Sequence, residues 1–277
     1  MSVAKAFRCL LFVPGERPER FAKALAAGPD MICIDLEDAV LFDNKRQARK
    51  DMLAFLAAAD TDLSRVAVRI NPVTSELGDE DLAALVAARR RPAMVMLPKI
   101  KHSDDALMVA EALGEQVSLI GLVECPEALL NVDEIADGGG DALTHIMFGG
   151  ADFSVELGAD MGWDSLLYAR GHLATVAAKH GKGLIDVPYL GVGDPAGLED
   201  ETRRVKGMGF SAKAAIHPAQ VPSIQSVFAS TADEIERARK IIDAFEQAGT
   251  TGALLVDGRL VDKPVITAAK KILGTAA

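Results

Sequence analysis

The stretch Met31-Ile32-Cys33-Ile34-Asp35-Leu36-Glu37-Asp38 decides how the chain is read. From Met31 to Leu36 it is apolar at both parities apart from Asp35. That is the pattern of a strand buried on both faces inside a parallel sheet, not of one that alternates toward water. The acids after it would stand just past the strand's C-terminal end. Working outward, similar short runs fall at residues 8–13, 66–70, 94–97, 117–123, 145–148, 183–187 and 213–216. Between them lie segments with apolar residues at helical spacing, among them 18–27, 45–59, 80–90, 103–113 and 166–180. Pro18 and Pro126 suit first-turn positions, and Ser103 or Asp194 suit N-caps. Eight strand–helix units predict a closed (β/α)8 TIM barrel rather than an open doubly wound sheet, and no Gly-x-Gly-x-x-Gly turn follows the first strand. After residue 228 the pattern changes. A helix over 232–248, a hairpin about Asp257-Gly258 and a last helix make a C-terminal extension. The expected division is 1–228 for the catalytic barrel and 229–277 for a cover or an arm on a neighbouring subunit.

Composition narrows the function. Of 277 residues, 49% are hydrophobic and 25% charged, and 30 Lys and Arg face 40 Asp and Glu, a net charge of −10. So acidic a chain is a poor binder of nucleic acid or anionic membrane. Only 5% of residues are aromatic, too few for a base-stacking platform. No apolar run reaches 18 residues and the N-terminus lacks a signal-peptide layout, so a cytoplasmic protein is expected. Cys9, Cys33 and Cys125 fit neither a disulfide framework nor a zinc motif and read as packing residues.

In a barrel of this kind the active site lies in the loops at the C-terminal ends of the strands. That rule selects Glu37 and Asp38 after strand two, and Arg69 and Asn71 after strand three. It also selects Lys99, Glu124, the run Gly149-Gly150-Ala151-Asp152, and His217. Glu124 and Asp152 end adjacent strands, and two carboxylates with waters and a chelating substrate suit a hard cation, Mg²⁺. Each acid could instead cap the helix that follows it. That alternative leaves Arg69 unexplained, because a guanidinium near a barrel mouth needs an anionic partner. Gly150 and Ala151 leave room for a ligand. Arg8 could touch substrate phosphates, pair with an acid such as Glu37, or form an ion pair at the barrel bottom. Lys99 and Lys213 admit both site and structural roles, His217 reads as a helix-start residue, and Trp163 and Tyr168 as packing or lid residues.

These residues, taken in order, resemble a known family. Arg8-x-x-Leu-Phe-Val-Pro-Gly15, Asp35-Leu36-Glu37-Asp38-Ala39-Val40 with Lys45 and Ala48-Arg49, Val68-Arg69-Ile70-Asn71 and Leu97-Pro98-Lys99 are followed by Val123-Glu124, Phe148-Gly149-Gly150-Ala151-Asp152 and Gly209-Phe210-x-x-Lys213-x-x-Ile216-His217-Pro218-x-Gln220. The set is similar to the citrate lyase β-subunit (HpcH/HpaI aldolase) family, which includes malyl-CoA and citramalyl-CoA lyases. Ala212 departs from it, standing where many members have Gly. The resemblance implies a Mg²⁺-dependent carbon–carbon lyase acting on a 3-hydroxyacyl thioester by retro-Claisen cleavage through an enolate. It implies Glu124 and Asp152 as metal ligands, Arg69 as the holder of the 2-keto acid carboxylate, and Glu37 and Asp38 as acids near the metal water and thioester. Asp262 matches an aspartate that relatives insert into a neighbouring subunit's site, a candidate base, and a homotrimer or hexamer is the expected assembly. Two other readings stay open: a metal-dependent pyruvate aldolase on free hydroxy-keto acids, and a β subunit that binds an acyl-carrier thioester and is inactive by itself.

Overall fold

The computed structural model describes residues 7–114, 116–248 and 252–276. Eight parallel strands close into a barrel in chain order: β1 (Cys9–Pro14), β2 (Met31–Asp35), β3 (Val66–Arg69), β4 (Met94–Leu97), β5 (Ser118–Val123), β6 (Leu143–Phe148), β7 (Gly183–Asp186) and β8 (Ala212–Ala215), with β8 pairing back onto β1. The connecting helices are α1 (Phe21–Ala26), α2 (Lys45–Ala57), α3 (Glu76–Ala87), α4 (Ser103–Leu113), α5 (Pro126–Gly138), α6 (Gly150–Leu157), α7 (Trp163–His180) and α8 (Pro195–Met208), and α9 (Val221–Phe228) follows β8. The (β/α)8 expectation is met, with two helices between β6 and β7.

Local chemistry sets the boundaries that differ from the sequence expectation. The predicted helix 18–27 is a 3-10 turn, Pro18–Arg20, running into α1. Helix α3 begins ahead of residue 80 because Ser75 Oγ accepts the Gly78 N–H at 3.1 Å. It ends at Ala87, short of Arg90, as the chain nears Pro92 and Arg91 turns back onto the Val86 carbonyl at 2.9 Å. Ser103 is the first helical residue rather than the cap: Asp105 Oδ2 takes the Lys101 N–H at 3.1 Å, and Ser103 bonds Glu134 instead. Asp194 does cap α8, accepting from Gly197 N at 2.9 Å. Cys125 lies just past β5 and caps α5 through Sγ. All three cysteines are buried and unpaired.

Strand alternation decides which side chains fill the barrel. Leu10, Cys33, Ala67, Met96, Leu122, Met147, Ile185 and Ala214 belong to one interior cluster, with Phe12 packed against it. The next inward positions toward the strand C-termini are Pro14, Asp35, Arg69, Glu124, Gly149, Val187 and Ile216, and all seven line one cavity.

The structure decides between the readings left open for two cations, in favour of the structural one for each. Arg8 precedes β1 and so lies at the N-terminal end of the barrel, away from the acids. Its guanidinium sits 3.7 Å from Asp30, which also takes the Arg8 and Cys9 N–H groups at 3.0 Å. Neither substrate contact nor pairing with Glu37 is open to it there. Lys213 is fully buried on the outer side of β8, bonded to Asp186 at 2.6 Å, the Val187 carbonyl at 2.7 Å and Glu201 at 2.7 Å. Arg170 joins that network through Asp186 at 2.9 Å and stacks on Trp163, so Trp163 is a packing residue. Tyr168 is exposed and stacks on His172. His217 caps the 3-10 turn Pro218–Gln220, as read.

The chain divides into two compact units, one through Gln225 and one from Ser226. In the second, α10 (Ala232–Ala248) and α11 (Lys263–Ala276) flank a hairpin of β9 (Leu254–Val256) and β10 (Arg259–Val261). Asp257 and Gly258 turn it, both at positive φ (50° and 73°), the geometry that a two-residue Asp-Gly hairpin loop requires. Among the described residues no helix is long and apolar enough to cross a membrane.

Candidate active site

The cavity at the C-terminal mouth of the barrel has a volume of about 390 Å³ and is chemically two-sided. Strands β2 and β3 contribute Asp35 and Arg69, the residue just past β5 is Glu124, and the N-terminus of α6 adds Ala151 and Asp152. Phe12, Pro14, Val187, Pro188 and Ile216 supply apolar lining, with the Arg69 guanidinium 5.2 Å from the centre of the Phe12 ring. A cation is favoured among the acids, with Arg69 beside it to meet an anionic group, and the apolar lining suits an alkyl segment.

Arg69 is the centre of the charged half. Its side chain is 12% exposed, and its Nε and Nη2 bond Asp35 at 2.7 and 2.6 Å. Nη1 lies 3.1 Å from Glu37 and 4.0 Å from Asp38. Burial would lower its pKa, but the bonds to Asp35 and the charges of Asp35 and Glu37 raise it further than burial lowers it. The guanidinium stays charged, and one edge of its fork is already used by Asp35. A substrate carboxylate must therefore meet the Nη1–Nη2 end. Asp35, which the strand-two motif contains but to which the sequence assigns no role of its own, also takes the N–H groups of Glu37 (2.9 Å) and Ala39 (3.1 Å) and so shapes the loop after β2. The available signal was parity: two residues beyond inward-facing Cys33, Asp35 had to face the same interior as Arg69.

Glu37 and Asp38 separate. Asp38 is half exposed and lines the cavity. Glu37 is buried behind it, 2.8 Å from Lys99 Nζ, and holds two cations rather than facing the opening. Burial foremost pushes the Glu37 carboxyl up, and Arg69 and Lys99 offset part of that. Lys99 has a left-handed backbone (φ 53°), unusual for a non-glycine residue. That conformation sends its N–H to Glu124 Oε1 at 2.6 Å and its ammonium to Glu37. Backbone strain of this kind is concentrated at functional sites.

Glu124 is 3% exposed, and burial, then the charge of Glu37 and that of Asp152, push its carboxyl up to about 8. A carboxyl held against other acids in this way is an arrangement that a cation relieves. Space for one exists. A Cβ on Gly149 would lie 2.4 Å from Glu124 Cβ and 3.0 Å from Oε2, so glycine is what keeps that side of the carboxylate open. Gly150 is also tight, its added Cβ meeting Phe148, Leu166 and Val187 at 3.2–3.3 Å. Among the described residues no group of three or more His, Cys, Asp or Glu could hold a metal. Two hard oxygen donors with the remaining positions left to water and substrate suit Mg²⁺, and the residues fit it. Asp262 belongs to the second unit, where its Oδ1 accepts the Val265 N–H at 3.4 Å at the start of α11.

Comparison with known proteins places this site in context. Residues 8–218 match the family model described as HpcH/HpaI aldolase/citrate lyase. The chain is 31% identical to the human mitochondrial citramalyl-CoA lyase over 290 residues, covering 97% of this chain and 85% of that protein. It is 35% identical to a (3S)-malyl-CoA thioesterase of Cereibacter sphaeroides over 277 residues, covering 99% and 95%. Among solved structures, the protein CitE from Mycobacterium tuberculosis, in complex with magnesium, acetoacetate and coenzyme A, superposes with a TM-score of 0.84 at 30% identity, covering 99% of each chain. With this match over most of the chain and the same barrel, the chain belongs to the HpcH/HpaI aldolase/citrate lyase family.

Proposed function

We propose that this enzyme is a Mg²⁺-dependent carbon–carbon lyase that cleaves, or in reverse forms, a 3-hydroxyacyl-CoA thioester of the malyl-CoA or citramalyl-CoA type. The observation that carries the reading is the meeting of Glu124, raised by burial and by Asp152, with the buried and fully charged Arg69 at one mouth. The bond between C2 and C3 breaks. Its electron pair stays on the carbon next to the thioester as an enolate, and the hydroxyl loses its proton as it becomes the ketone of a 2-keto acid. Glu124 and Asp152 would hold the ion, which when bound lends Lewis acidity at that hydroxyl oxygen. The Nη1–Nη2 end of Arg69 binds the carboxylate of the departing keto acid, and Asp35 and Glu37 keep that end aimed. Lys99 adds positive charge on the same side. Val187, Pro188 and Ile216 receive the thioester arm. Asp38 at the opening is one candidate base, and Asp262 supplied by a second copy in a trimer or hexamer is the other.

A second reading is favoured by the relative named as a malyl-CoA thioesterase, in which water attacks the thioester carbonyl instead. Purified protein incubated with Mg²⁺ and malyl-CoA, citramalyl-CoA, a citryl-carrier thioester or free hydroxy-keto acids, with products identified by mass spectrometry, separates these readings. Acetyl-CoA plus glyoxylate or pyruvate supports the lyase. Free CoA plus the intact hydroxy acid supports the thioesterase. Cleavage only on the carrier ester, or only of the free acids, supports the β-subunit or aldolase reading.

A further inference from the structure

The backbone that carries Glu37 is fixed by a side chain outside the cavity. Lys45, the first residue of α2, places its Nζ 2.9 Å from the Leu36 carbonyl and 2.8 Å from the Glu37 carbonyl, donating to both. Asn71 Nδ2 donates to the same Leu36 oxygen at 3.1 Å. Asn71 is gripped in turn by buried Asp81, which accepts its N–H at 2.9 Å and its amide at 2.7 Å. Arg49 ties Asp81 to α2 at 2.6 Å.

Helix stability does not account for Lys45. A cation in the first turn of a helix opposes the macrodipole. Docking of α2 rests on the buried side chains Ala48, Met52 and Leu56 and on the bonds of Arg49 to Glu80 and Asp81. We infer that Lys45 is a positioning residue: it locks the Leu36–Glu37 carbonyls so that the Glu37 carboxylate holds Lys99 Nζ at 2.8 Å and Arg69 Nη1 at 3.1 Å beside the cavity. The inference rests on the lyase reading only in that Arg69 and Lys99 serve the substrate there. Without the ammonium, both carbonyls lose a charge-assisted bond and Glu37 can turn away from the cations it organises.

The test compares Lys45→Met and Lys45→Arg with the native enzyme in Tm, kcat and KM on the thioester that the native enzyme turns over, with Arg69→Lys as a control and a crystal structure of Lys45→Met. Expected are a fall in kcat of at least tenfold for Lys45→Met with Tm within a few degrees, partial recovery in Lys45→Arg, and a Glu37 carboxylate displaced from Lys99 or Arg69. Native kcat in Lys45→Met while Arg69→Lys is crippled overturns the inference. So does a loss of activity that tracks Tm and that arginine fails to restore. If Arg69→Lys retains activity, the role of Arg69 in the reaction is wrong. The crystal structure then decides Lys45: a Glu37 still seated against both cations rejects the positioning role, and a displaced Glu37 upholds it.

Discussion

Replacing Glu124 by Gln should move stability in opposite directions with and without metal. In the metal-free protein the carboxyl has a pKa of about 8 where an unburied Glu has 4.5. A carboxyl raised on folding contributes stability that is fully present below pH 4.5 and is lost as pH climbs toward 8. At pH 7 that loss is about 3 kcal/mol, from about 1.4 kcal/mol per unit over the 2.5 units separating pH 7 from the unfolded value. The amide keeps an oxygen for the Lys99 N–H and can donate toward neighbouring carboxylates, so the variant escapes much of the penalty. In EDTA it should melt roughly 3–8 °C above the native protein, and the gap should widen from pH 5 to pH 8. With Mg²⁺ at about a hundred times its Kd the native protein gains about 2.7 kcal/mol and the variant almost nothing, which cancels or reverses the order. Differential scanning fluorimetry in EDTA and in saturating MgCl₂ across that range reads both halves. A variant that melts lower than native in EDTA, or that gains as much from Mg²⁺, would refute the reasoning.

Arg69→Lys should lose at least about a hundredfold in kcat/KM, because one ammonium cannot span Asp35 and a substrate carboxylate; native kcat/KM would remove Arg69 from the chemistry. Gly149→Ala should weaken Mg²⁺ binding tenfold or more by calorimetry, its new methyl displacing Glu124, and unaltered affinity would show that the ion lies elsewhere. Buried His145, held neutral at a pKa of about 4 by desolvation, gives stability that is present above pH 6.5 and lost as pH falls toward 4. Urea titrations of native protein and His145→Leu should therefore converge by up to about 3 kcal/mol over that window, and parallel pH profiles would contradict it. Asp262→Ala should cut turnover without unfolding the protein, and full turnover would leave Asp38 as the base.

The barrel was legible because near-continuous apolar runs are local, and each of the eight strands carries its own. The charged strand ends followed from the rule that a barrel's site lies in the loops at the C-terminal ends of its strands. Less legible was how these charges share partners. Asp35 and Asp38 sit three residues apart in one motif, yet one is sealed under Arg69 and the other opens on the cavity. Only the packed loop after β2 decides that. Arg8 misleads for the opposite reason: it lies in a family motif, but one residue ahead of β1 and so at the far end of the barrel. The left-handed backbone at Lys99 has no sequence signature, since lysine seldom adopts it, and the Lys45 link spans nine residues between a helix start and a strand end.

The most direct test of the paired-carboxylate centre is a crystal structure of the protein grown with Mn²⁺ and pyruvate, recorded at the manganese absorption edge. The account predicts a single anomalous peak bonded to one oxygen of Glu124 and one of Asp152, with the pyruvate carboxylate against the Nη1–Nη2 end of Arg69. A peak that engages neither carboxylate, or a pyruvate bound away from Arg69, would contradict it.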